Sequence, residues 1–249
     1  MQPVRVDVDR RHGGELVVIT LPGGTLGARD AAEVAAVAHE LSEQRAVRAV
    51  VLTAHGPDFC AGRGEDLDPL AVGEDPAAAI ARVRAPVIAA VAGACRSVGL
   101  ELVLACDIVV AADDARFLLD DVATGSGLPC WGGTQRLPRA IGHARAAAMI
   151  LLGDQLDAGS AQQAGLVWRT AADRGALDEA ALALAEQLCR LGPLALEYAK
   201  EAVHRGAELP LRDGLRLEGD LNTLLATSAD RAEGLAAFFA KRPADFAGR

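Results

Sequence analysis

Aromatic residues are almost missing from this 249-residue chain, with five Phe, two Trp and one Tyr. A core must therefore be built from Ala, Val, Leu and Ile, the bulk of an apolar fraction of 51%. That fraction suffices for a sizeable core and excludes a disordered chain. Long hydrophobic runs are missing too: a stretch such as residues 86–94 is far too short to span a membrane. Residues 1–10 alternate charged and apolar side chains without a hydrophobic signal core, so a cytoplasmic location and no membrane partner are expected.

Lysine is nearly absent, with only Lys200 and Lys241, and the net charge is −9. No basic run relieves that charge, which excludes general nucleic-acid binding. A phosphorylated small ligand would need a local basic site. The five cysteines (Cys60, Cys95, Cys106, Cys130, Cys189) are odd in number and scattered, with no Cys-x-x-Cys pair and no Cys/His cluster at zinc spacing. They read as free thiols, and no metal is expected.

What is present is an alternation of apolar strands and helical periods. Residues 4–9 and 16–21 read as strands joined by the turn Arg11-His12-Gly13-Gly14, and residues 29–45 have helical spacing. Strands are expected over 49–53, 87–92 and 108–112, with short helices over 76–83 and 98–105. Beyond Gln135 the pattern is almost wholly helical, apart from a short strand expected at 166–169. Strand–helix units followed by a helical tail indicate an α/β core with appended helices.

Four segments carry chemistry. Phe59-Cys60-Ala61-Gly62-Arg63-Gly64 follows a strand, where small residues let backbone approach a ligand and a turn can aim a free N–H outward. Residues 86–93 feed through Arg96-Ser97-Val98-Gly99-Leu100-Glu101 into a helix whose first N–H groups lack internal partners. An oxyanion there is stabilised without side-chain help. Phe117-Leu118-Leu119-Asp120-Asp121 precedes a Gly-rich loop and Gly132-Gly133-Thr134-Gln135-Arg136-Leu137-Pro138, and the fourth segment runs from Glu233 through Phe238 and Lys241 to Pro243.

Together these segments resemble the crotonase superfamily of enoyl-CoA hydratases and isomerases, from about Val4 to Phe246. The resemblance implies a spiral of ββα units (residues 1–190) continuous with a C-terminal helical trimerisation region (191–249), assembled as a homotrimer or a dimer of trimers. It implies an acyl-CoA substrate with no separate cofactor, and a thioester oxygen held by the backbone N–H groups of Arg63 and Val98. Glu101 and Asp121 match the two acids that hydratases use to activate water and move protons, with Asp120 a rival for the second place. Cys60, Ala61, Gly62 and Gly99 would line the substrate, and Phe238 and Lys241 would contact the CoA moiety; the Arg63 guanidinium could also reach a phosphate. The implied activity is hydration of a 2-enoyl-CoA, with isomerisation, another crotonase-type reaction or a weakly catalytic acyl-CoA-binding role as alternatives.

The sequence departs from the family pattern at four places. Val98 stands where Gly is common, and Asp121 where hydratases carry Glu. The loop Gly64-Glu65-Asp66-Leu67 looks two residues longer, and residues 125–131 one longer. Ser97-Val98-Gly99 also ends like a nucleophile elbow, but Cys95 replaces the leading Gly and no paired base can be identified. Gly125-Ser126-Gly127 lacks the ending of a phosphate loop.

Overall fold

The computed structural model describes residues 6–68 and 75–249. Val4 and Arg5 of the expected first strand, and residues 69–74 of the first long loop, lie outside the described residues.

In chain order, β1 (Asp7–Arg11) and β2 (Leu16–Leu21) form an antiparallel hairpin around a 3-10 turn at His12–Gly14. Then follow β3 (Thr25–Leu26), α1 (Ala28–Glu43), β4 (Ala49–Ala54), β5 (Gly62–Arg63) and α2 (Pro76–Arg82). The next turns hold β6 (Val87–Val91), β7 (Ala94–Arg96), α3 (Val98–Val103), β8 (Ile108–Ala112) and β9 (Arg116–Leu118). The remainder is α4 (Gly133–Ile141), α5 (His143–Leu152), β10 (Leu156–Asp157), α6 (Ala158–Ala164), β11 (Arg169–Ala171) and α7 (Arg174–Cys189). Three further helices close the chain: α8 (Pro193–Gly206), α9 (Leu211–Ala226) and α10 (Ala229–Ala240).

Each turn of the chain sends one strand to each of two layers. The longer strands form a six-stranded sheet in the order β1-β2-β4-β6-β8-β11, parallel except at β1. The short ones pair as β3-β5 and β7-β9-β10, and a parallel bridge between Cys60 and Cys95 joins these two pieces. This is the expected spiral. Side chains alternate between sheet faces along a strand. Val17, Ile19, Val50, Leu52 and Val87 accordingly share one buried cluster, while Leu16, Val18, Val51 and Ile88 share another with Leu177, Ala181 and Ala185 of α7. With both faces covered, the inner strands β2, β4, β6 and β8 read as continuous apolar runs, whereas the edge strand β1 is exposed. The scarce aromatics are placed economically: Phe59 and Phe117 are fully buried beside the small sheets.

The strand expected at 166–169 is displaced to Arg169–Ala171. Leu166 and Val167 both donate to the carbonyl of Ala161 and so close the C-terminus of α6, which removes their N–H groups from any ladder. Ladder bonding begins only at Trp168, whose N–H donates to Val109. Strand β7, expected as loop, forms because its three residues run parallel to β9.

Lys200 serves the fold. Its ammonium lies 2.7 Å from Asp107 Oδ2 and donates to the Ala85 carbonyl, while His204 reaches Asp107 Oδ1 at 2.6 Å and Val87 N–H donates to Oδ2. The cluster pins α8 to the ends of β6 and β8. Burial would raise the Asp107 carboxyl, but His204, the charge and hydrogen bond of Lys200 and the Val87 N–H together hold it below its ordinary value.

Candidate active site

Two backbone segments are drawn together at the Cys60–Cys95 bridge. Phe59 and Cys60 donate to the carbonyls of Ala92 and Ala94, and Arg96 donates back to Cys60. Gly99 allows this approach, since a Cβ there would stand 2.3 Å from Cys60 Cβ. Gly62 has φ 135°, which an L side chain rarely adopts.

The direction of the Arg63 N–H follows from the ladder. Gly64 N–H donates to Leu26 at 2.7 Å, across β3. Successive N–H groups of an extended chain point to opposite sides, so that of Arg63 points away from β3. Across the gap, Val98 opens α3, and among the described residues nothing accepts its N–H.

The register of β7 against β9, with Arg96 opposite Leu118, brings residues 96–97 beside residues 120–121. Asp120 is fully engaged by Arg96, with Nε to Oδ1 and Nη2 to Oδ2 both 2.8 Å. That bidentate pair leaves Asp121 as the acid of this strand end with an oxygen to spare. Ser97 Oγ donates to Asp121 Oδ1 at 2.5 Å. Asp121 is 3% exposed, and its buried Oδ2 has no partner among the described residues.

Glu101 is 1% exposed, on the buried face of α3. Its Oε1 accepts from the N–H groups of Trp131 (2.7 Å) and Gly133 (2.8 Å), and its Oε2 from that of Cys130 (3.2 Å). Burial pushes its carboxyl up from the ordinary value; the N–H groups of Gly133, Trp131 and Cys130 draw it back, and the Asp121 charge adds to the rise. The net direction is upward.

A cavity of about 380 Å³ lies between the Arg63 loop and the segments of Ser97 and Asp121. Ala61, Gly62 and Arg63 line one wall, and Arg96, Ser97, Asp120 and Asp121 another, with Thr124 and Ser126 at the edge. The Arg63 guanidinium spans it to the Ser126 carbonyl at 2.5 Å. Cys60, Val98, Gly99 and Glu101 are buried and are not among the residues that line it. Burial pushes the Cys60 thiol up to about 11 and that of Cys95 well above its usual value, so neither is poised as a thiolate. Phe238 and Lys241 are not brought to this cavity: Phe238 is 77% exposed on α10, and Lys241 caps that helix with φ 51°. Sequence reasoning had no signal for the Arg96–Asp120 and Ser97–Asp121 pairs, because only the β7–β9 register creates them.

This two-layer ββα spiral, with a small-residue loop beside a helix start, is a crotonase-type fold. Residues 22–249 match the family model described as enoyl-CoA hydratase/isomerase, and the chain belongs to that family. It is 47% identical over 164 residues to a 2,3-dehydroadipyl-CoA hydratase of Escherichia coli K12, covering 66% of this chain and 64% of that relative's length. It is 34% identical over 232 residues to a 1,2-epoxyphenylacetyl-CoA isomerase of the same organism, covering 88% of each. The crystal structure of an enoyl-CoA hydratase from Bacillus anthracis superposes with a TM-score of 0.88 at 32% identity, covering 98% of this chain and all of that one.

Proposed function

We propose that the chain hydrates 2-enoyl-CoA thioesters. The observation that carries this reading is the buried Oδ2 of Asp121 in the cavity, without a partner among the described residues and on a side chain hydrogen-bonded to the residue preceding Val98. The thioester oxygen would accept from the Arg63 and Val98 N–H groups, which drain charge from C3 and stabilise enolate character at C2. Asp121 would hold the attacking water at C3, and Glu101, whose carboxyl is raised by burial, would supply the proton path to C2. No separate cofactor enters this scheme; coenzyme A is part of the substrate. The test is the loss of conjugated thioester absorbance from crotonyl-CoA and from longer, branched and aromatic enoyl-CoAs. No turnover across that panel would defeat the hydratase reading.

A second reading is favoured by the inequality of the two acids. Glu101 already accepts from three N–H groups, whereas Asp121 keeps a whole oxygen free. One free carboxylate is sufficient to move a proton along an enolate, which is isomerisation. A 3-enoyl-CoA converted to the 2-enoyl isomer without hydration would select it. The exposed apolar side chains of the last two helices, including Leu211, Leu215, Phe238 and Phe239, support assembly into a trimer or a dimer of trimers.

A further inference from the structure

Ser97 sits in a strand-to-helix turn, after the last residue of β7 and before the first of α3, with φ 52° and ψ −124°. This is the backbone of the first central residue of a type II′ turn, where Gly is usual and a side chain is strained. A serine held in such a turn, followed by a residue whose N–H serves as oxyanion donor, is the arrangement of a nucleophile elbow. In sequence the elbow lacked a base. The fold supplies an acceptor: Asp121 Oδ1 takes the Ser97 hydroxyl hydrogen bond at 2.5 Å, and the buried Asp121 Oδ2 has no partner among the described residues. Both side chains line the same cavity. The nearby thiols do not compete, since Cys60 and Cys95 are fully buried and held protonated.

We propose that this chain also cleaves acyl-CoA thioesters through an acyl-enzyme on Ser97, with Asp121 as the base. The inference rests on the acyl-CoA reading of the cavity, although it needs no double bond in the acyl chain. Ser97 Oγ attacks the thioester carbon and its proton passes to Asp121. The C–S bond breaks, and the departing sulfur takes that proton to leave as CoA thiol. Water then attacks the ester carbon and gives a proton to Asp121; the C–Oγ bond breaks, Ser97 recovers its proton and the free acid leaves. Water is the only co-reactant. The developing oxyanion stays on the Val98 and Arg63 N–H groups throughout.

Butyryl-CoA tests this, because it has no double bond to hydrate or shift. Release of CoA is followed by chromatography, and the intact protein is weighed for a butyryl adduct. The wild-type chain should release CoA and show the adduct. Ser97→Gly relieves the backbone strain but removes a hydrogen bond to Asp121, so it should still fold, as thermal unfolding will show, yet lose the adduct and slow release by at least ~10-fold. Asp121→Asn, which still accepts from Ser97, should slow release by about 100-fold. Absence of CoA release by the wild-type chain, or release undiminished in Ser97→Gly, would overturn the proposal. Crotonyl-CoA hydration by the same preparation reads the other reaction separately: hydration without CoA release removes only the cleavage, and CoA release without hydration removes only the hydratase reading.

Discussion

Gly99 and Cys60 are in contact at the point where the two candidate oxyanion segments meet, and a Cβ on Gly99 would fall 2.3 Å from the Cys60 Cβ and 2.9 Å from its sulfur. Both positions are buried, so neither neighbour can turn into solvent to make room. Gly99→Ala should therefore push the helix start away from the Cys60 loop, at a cost of about 1–3 kcal/mol typical of overpacking. Thermal unfolding should register that loss. Turnover of enoyl-CoA should fall further than stability does, because a small displacement of an oxyanion donor is expensive. Equal thermal stability in variant and parent would mean that the two segments can separate without cost.

Asp121→Asn is the sharpest separation of chemistry from folding. The amide oxygen can still accept from Ser97, so the fold should stand, while the carboxylate charge is gone. Hydration should drop by about 100-fold. A rate unchanged from the parent would remove Asp121 from the mechanism.

Glu101 gives a prediction in pH. Its folded value is raised above its unfolded one, so its stabilising contribution is complete below the unfolded value of about 4.3 and is lost as pH rises through the folded value. Between those two values the parent should lose stability with rising pH, and Glu101→Gln should lose less. Hydration by Glu101→Gln should fall by about 100-fold. Melting temperatures of both proteins across pH 4 to 8 check the first part, and parallel slopes would count against a raised carboxyl.

Asp107 gives the opposite sign. Its carboxyl is held below its ordinary value, so its contribution is present above the unfolded value of about 3.9 and is lost as pH falls through the lower folded value. Lys200 and Asp107 are largely buried, and removing one partner leaves the other charge uncompensated. Asp107→Ala should cost about 3–5 kcal/mol and loosen α8. Denaturant unfolding at neutral pH measures this; a loss below about 1 kcal/mol would place the pair among weak surface bridges.

Light scattering of the purified chain should give three or six times 25.7 kDa. If α10 contributes to a CoA site in such an assembly, Lys241→Ala should weaken CoA binding in titration calorimetry, whereas equal affinity would dismiss that role.

The candidate backbone donors could be named from residue order. Cys60-Ala61-Gly62-Arg63 and Val98-Gly99-Leu100-Glu101 were identifiable because small residues and a helix start leave free backbone donors, a property of local chain geometry. The inner strands β2, β4, β6 and β8 followed from apolar runs of strand length. The short strand 169–171 was misjudged because Leu166 and Val167 are apolar for the sake of closing α6, and burial at a helix end looks like burial in a strand.

The amino-acid sequence by itself determined the strand–helix alternation, the family, and which residues are candidates for the oxyanion donors and the acids. Tertiary structure alone decided how those candidates differ. The parallel register of β7 and β9 gave Asp120 to Arg96 and Asp121 to Ser97, while the loop at 130–133 wrapped Glu101 in backbone N–H groups. These are contacts between residues 24 to 32 positions apart, and no local propensity carries information about which partner a buried carboxylate will find.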